Sequence, residues 1–179
     1  MKNLRLKKIT LCGLLCSFAV IAFTLESLFP PLILPGARMG ISNVFILLCA
    51  IYLGSIYGYA TLIVKILLGS IFSGNISSII YSLPAGLISL TLELALFLWI
   101  NKASIVASSI AGAVVNVTIQ NLVFCLVTDS AEYLSYLPYL SLTGVIGGLA
   151  VGFIVLLTVK KLKFNFLNTN SDKENNLEY

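Results

Sequence analysis

Glu26-Ser-Leu-Phe-Pro-Pro-Leu-Ile-Leu-Pro-Gly-Ala-Arg-Met-Gly-Ile-Ser-Asn43 joins two apolar runs, each long enough to cross a membrane. It holds three of the five prolines, an acid, a base and two glycines. The chain around it is mostly lipid-compatible, so this polar, turn-forming link reads as a site or a special loop. Outward from it, the apolar runs repeat. Of 179 residues, 59% are hydrophobic and 10% charged, and the mean hydropathy is +1.03. A soluble domain carries roughly 25% charged residues. So little charge leaves no polar coat for a water-soluble particle, and the solvent is a bilayer. At about 20 residues per spanning helix, the chain holds about six spans and no soluble globular part.

The organisation expected is a basic arm over 1–8, a transmembrane domain over 9–160 and a flexible tail over 161–179. The first run, Ile9–Phe29, is too long for a signal-peptide core and has no small-x-small cleavage pattern before Pro30, so it reads as a retained span. Span 2 is expected over Ile41–Ser55 and span 3 over Gly58–Phe72, joined by the tight link Gly54-Ser-Ile-Tyr-Gly58. Span 4 ends at Asn101-Lys102 and begins either near Ile79 or at Pro84, where Ser82 would cap it. Span 5 covers Ser104–Val127 and span 6 Pro138–Val159, with a polar, aromatic loop between them. An even number of spans puts both termini on one side. That side collects Lys2, Arg5, Lys7, Lys8, Lys102, Lys160, Lys161 and Lys163. The opposite loops carry Arg38 as their only base, so the positive-inside rule places both termini in the cytoplasm and the Glu26–Asn43 link outside. The basic balance is thus a matter of topology and gives no support to nucleic-acid binding.

Charges within spans are functional suspects, since each costs about 2.5–3.5 kcal/mol at the bilayer centre. Glu26, Lys65 and Glu93 qualify. Counted from the cytoplasmic side, Lys65 and Glu93 reach similar depths, which suggests a buried ion pair; the other reading puts Lys65 on the floor of a pocket facing an anionic ligand. Glu26 and Arg38 either pair, or Arg38 joins the free N–H groups of Gly40 to Asn43 in an anion subsite at the start of span 2. Ser109, Gly112, Asn116 and Gln120 recur at helical spacing, with Asn121 adjacent, so this stripe faces the bundle interior, as glue or as a cavity wall. Gly144, Gly148 and Gly152 form a flat stripe for helix packing, and Gly13 with Ser17 offers a second small-residue face, toward another helix or a partner subunit.

Other chemistry is missing. With no histidine, neither His-based catalysis nor a His metal site exists, and Cys12, Cys16, Cys49 and Cys125 read as small packing residues, so no metal and no cofactor are expected. No GxxxxGK[ST] loop is present, so the chain does not itself hydrolyse ATP. Its two aspartates, Asp129 and Asp172, are far apart and form no Mg²⁺-diphosphate cluster.

At Leu25–Asn43 the chain resembles the family called both heptaprenyl diphosphate synthase component I and Gx transporter. Lys65-Ile-Leu-Leu-Gly-Ser70, Tyr81-Ser-Leu-Pro-Ala-Gly-Leu-Ile-Ser89, Ser109-Ile-Ala-Gly-Ala113 with Gln120, and Tyr136-Leu-Pro-Tyr-Leu140 continue the resemblance, over about residues 10–155. The family usually has arginine where Lys65 stands, and a His-Asn pair and a later glycine where this chain has Asn116, Val117 and Ile119. The ligand or chemistry of that pair therefore does not carry over. The family is similar to substrate-binding (S) components of energy-coupling factor (ECF) transporters. That resemblance implies an all-α, six-helix membrane protein of the cell membrane that binds a ligand near its outer face; the polar residues read above nominate Glu26, Arg38, Asn43, Lys65, Asn116 and Gln120 as contacts to a small molecule, anionic if Lys65 and Arg38 face it. The resemblance also implies a transmembrane coupling subunit docked on span 1 and driven by ATPases. The family's other label implies an accessory role in polyprenyl diphosphate synthesis. A structural subunit without a ligand is the third reading.

Overall fold

The computed structural model describes residues 2–28, 40–99 and 105–175, with side chains over 6–27, 40–97 and 105–161. Among them are six α-helices, α1 (Lys2–Leu28), α2 (Asn43–Leu53), α3 (Ser55–Phe72), α4 (Ser78–Trp99), α5 (Ile105–Thr128) and α6 (Leu137–Asn175), with a 3₁₀ turn over Ala131–Tyr136. The protein is an all-α membrane bundle. Segments of α1, α3, α4, α5 and the 3₁₀ turn with α6 are long and apolar enough to cross a bilayer.

The exception corrects the expected second span. At 11 residues, α2 is about 16 Å long against a hydrocarbon core of about 30 Å. It is apolar on every side because it is the interior helix: Val44, Ile46, Leu47, Leu48, Cys49, Ala50 and Leu53 are all buried. One cluster joins Ile46 and Ala50 to Leu62, Ile66, Leu90 and Leu94 of α3 and α4. Another joins Val44, Leu47 and Leu48 to Val151 and Val155 of α6. Helices α2 to α6 close a ring through the α2–α6 contact, and α1 lies outside it against α2 and α3.

Short as it is, α2 still reverses the chain. Gly54 makes the turn at φ 116°, which only glycine adopts readily, and Gly58 lets α3 fold back so closely that a Cβ there would lie 2.7 Å from that of Ala50. Every sequential pair of helices is antiparallel, so the start of α1 and the end of α6 share one end of the bundle, called here the basic end. The tail expected to be flexible from 161 continues α6 to Asn175. Of the two starts weighed for span 4, the structure takes the earlier, since α4 begins at Ser78 and carries Pro84 inside it. Ser70 Oγ and Ser78 Oγ, 2.8 Å apart, join α3 and α4 across the turn.

Candidate functional site

The interior polar residues converge on one cavity of about 80 Å³ inside the ring. One water needs about 10–15 Å³ on this measure, so there is room for several waters or one small molecule. Glu26, Asn43, Lys65, Asn116 and Gln120 all line it, as do Glu93, Ser42, Ser82, Ser89 and Ser109. Arg38, the remaining expected ligand contact, lies outside the described residues.

The start of α2 organises one end. Because α2 is short, its N-terminus opens inside the bundle rather than at its surface. Ser42 N–H donates to Glu26 Oε1 at 2.9 Å, tying the end of α1 to the start of α2. One residue on, Asn43 Oδ1 accepts from Lys65 Nζ at 2.8 Å. The same ammonium lies 5.3 Å from the centre of the Phe23 ring, a cation–π distance. Two polar atoms at this end have no hydrogen-bond partner among the described residues: Glu26 Oε2 and Ser42 Oγ, the latter on a residue only 1% exposed.

The two residues of the expected Lys65–Glu93 pair stand at different depths. Because α4 starts at Ser78, Glu93 stands about 22 Å along it, whereas Lys65 is about 10 Å back from the end of α3. Glu93 is thus about a dozen ångströms nearer the basic end. It sits against α5, its Oε2 3.2 Å from where a Cβ on Gly112 would be, with Ser109 beside it. The span 5 stripe divides its work. Asn116 and Gln120 face the cavity, and Gln120 Nε2 donates to Ser82 Oγ at 2.9 Å. Asn121 points elsewhere and holds the 3₁₀ turn, donating to the Tyr133 carbonyl at 3.1 Å.

The glycine stripe of α6 is an internal seam. Gly144, Gly148 and Gly152 press on Val117, Ile110 and Val106 of α5, respectively. Gly13 and Ser17 are exposed on the outer face of α1, and no described atom lies within 4 Å of a Cβ placed on Gly13. Nor are the cysteines scattered packing residues only. Cys12 and Cys49 approach to 3.7 Å between sulfurs, and Thr61 Oγ1 donates to Cys49 Sγ at 3.3 Å, joining α1, α2 and α3 at the middle of their packing.

Sequence reasoning missed Ser42, Ser89 and Phe23 as cavity residues. A serine or phenylalanine in an apolar run is too common to mark a site; only the position of Ser42 just before a helix was a signal.

A sequence profile described as heptaprenyl diphosphate synthase component I matches residues 15–158. The chain belongs to this family. No curated protein and no solved structure matches it. The match runs from the inner part of α1 through α6, so the cavity lies wholly within the family's domain.

Proposed function

We propose that this family member is a membrane-embedded, small-molecule-binding subunit, like an ECF S component, that depends on a partner ATPase module for transport. One observation carries the reading: a polar cavity inside an apolar bundle, with the Ser42 hydroxyl and a Glu26 oxygen in its wall left without a partner among the described residues. A bundle held together by polar glue alone gains nothing by burying such atoms, since each costs about 1–3 kcal/mol without a hydrogen bond. A bound molecule would satisfy them. The basic end is assigned to the cytoplasm, and the Gly13–Ser17 face to a coupling subunit.

The test is purification of the full chain in mild detergent, followed by release and mass analysis of bound small molecules, and capture of an ATPase-containing complex. A stoichiometric molecule lost in Lys65→Met supports the reading. Protein that is folded, empty and alone speaks against it.

The family's description favours a second reading, an accessory component of heptaprenyl diphosphate synthase. Here the diphosphate-binding metal site would come from a partner, because Asp129 and Asp172 are the chain's only aspartates. The cavity is several times too small for a heptaprenyl chain, so the prenyl group would lie along the lipid-facing surface. Adding the protein in vesicles to a soluble prenyl synthase and measuring rate and product length tests this; no change in either excludes it.

A further inference from the structure

The α2 end of the cavity holds an acid and a base, each bonded to one of two consecutive residues. Glu26 comes from α1 and Lys65 from α3, and consecutive residues of a third segment fix them, Ser42 through its N–H at 2.9 Å and Asn43 through its Oδ1 at 2.8 Å. All four line the cavity. Within the same wall, Glu26 Oε2, an acceptor when ionised, and Ser42 Oγ, able to donate or accept, are buried and have no partner among the described residues. Granting that the cavity is a ligand site, we infer that its α2 end takes the head group of a small α-amino acid. The ammonium sits on Glu26 Oε2, and the carboxylate on Lys65 Nζ and Ser42 Oγ.

The alternatives fail on charge. A plain anion drawn to Lys65 would meet the Glu26 carboxylate, and a plain cation drawn to Glu26 would meet the Lys65 ammonium. Like charges this close are costly where lipid and protein replace water. A molecule carrying both charges on neighbouring atoms answers each with its opposite. Size agrees. A volume of about 80 Å³ corresponds to roughly five to eight waters, and so to a ligand of about that many non-hydrogen atoms, the range of alanine to threonine. Ser89 and Asn116, farther along the wall, would meet a short polar side chain.

The experiment is equilibrium binding to the full chain in lipid nanodiscs with four probes. Serine carries the whole head group, lactate lacks the ammonium, ethanolamine lacks the carboxylate, and 4-aminobutyrate holds the two charges apart. Serine is expected to bind best, and each of the others about tenfold or more weaker, the value of one charge-assisted hydrogen bond. Glu26→Gln should remove the preference for serine over lactate, weakening serine and strengthening lactate as the repulsion on its carboxylate is relieved. Lys65→Met should remove the preference over ethanolamine, and Lys65→Arg should restore it. Should Glu26→Gln fail to fold, Ser42→Ala removes only the hydroxyl and should weaken serine several-fold. Lactate binding as tightly as serine, or a serine preference that survives Glu26→Gln, overturns the amino-acid assignment and leaves the ligand site standing. No binding of any probe by protein that melts cooperatively, together with no small molecule released from the purified chain, overturns both.

Discussion

Two interior seams of this bundle are built in opposite ways. Between α5 and α6, three glycines bring backbone against backbone: a Cβ on Gly148 would lie 2.7 Å from Ile110 Cα and 2.9 Å from the Ser109 carbonyl oxygen. Nothing fits between these helices. Between α2 and the helices that face it, serines, amides and charges stand around a cavity, and two of their polar atoms find no partner among the described residues. In lipid, where no hydrophobic force draws helices together, close packing supplies association and polar groups are retained where they have a task. One seam therefore reads as scaffold and the other as site.

The largest effect should come from breaking the closed seam. Gly148→Val sets a branched side chain against backbone that cannot yield, which overpacks the helix pair by about 3 kcal/mol. The expected result is a clear fall in melting temperature and in folded yield, measured by size-exclusion chromatography in detergent. A variant that melts like the parent would show the seam to be looser than its contacts.

The open seam should behave in reverse. Lys65→Met loses the bond to Asn43 but also removes a charge that costs about 2.5–3.5 kcal/mol to hold in a membrane. Stability should change by less than about 1 kcal/mol, while ligand binding falls about tenfold to a hundredfold. Stability lost with no binding to lose would turn Lys65 into a structural residue and erase the contrast between the seams.

These two seams also differ in how far the chain's chemistry announced them. The Gly144, Gly148 and Gly152 spacing showed a packing face, though not that α5 fills it. Apolar runs located five helices, and the expense of charge and amide in lipid picked out Glu26, Lys65, Glu93, Asn116 and Gln120, which reach the cavity, and Asn121, which holds the 3₁₀ turn instead. Two things stayed hidden. Hydropathy cannot tell a helix surrounded by lipid from one surrounded by protein, so the buried, short α2 looked like a span. Depth was misjudged because a count from the cytoplasmic ends of the spans sets Glu93 level with Lys65, whereas a count from the Ser70–Ser78 turn, with α4 starting at Ser78, does not. The Glu26–Ser42 and Lys65–Asn43 bonds bring together residues 16 and 22 apart, and no local pattern encodes them.

A smaller effect tests the wall that the seams share. Gln120→Ala removes the bond to Ser82 between α5 and α4. A neutral hydrogen bond of this kind is worth about 1 kcal/mol, so a small fall in melting temperature is expected. An unchanged melt with altered ligand selectivity would move Gln120 from the scaffold to the site.

The smallest effect on the isolated chain belongs to Gly13→Leu, and it separates lipid from protein as the neighbour of α1. Among the described residues α1 packs only on α2 and α3, and its outer face shows Gly13 and Ser17 beside exposed Leu14 and Ile21. Ser17 Oγ donates back to the Gly13 carbonyl at 2.9 Å, so this face leaves no hydroxyl in need of a partner. If lipid covers it, leucine is welcome: the helix gains up to about 1 kcal/mol over glycine, and no contact is lost. If a partner helix approaches there, the added side chain holds it off. The variant should therefore melt as the parent does or slightly higher, bind ligand unchanged, and fail to copurify with an ATPase module that captures the parent chain. Capture undiminished by leucine would leave α1 facing lipid and send the search for the docking face to another helix.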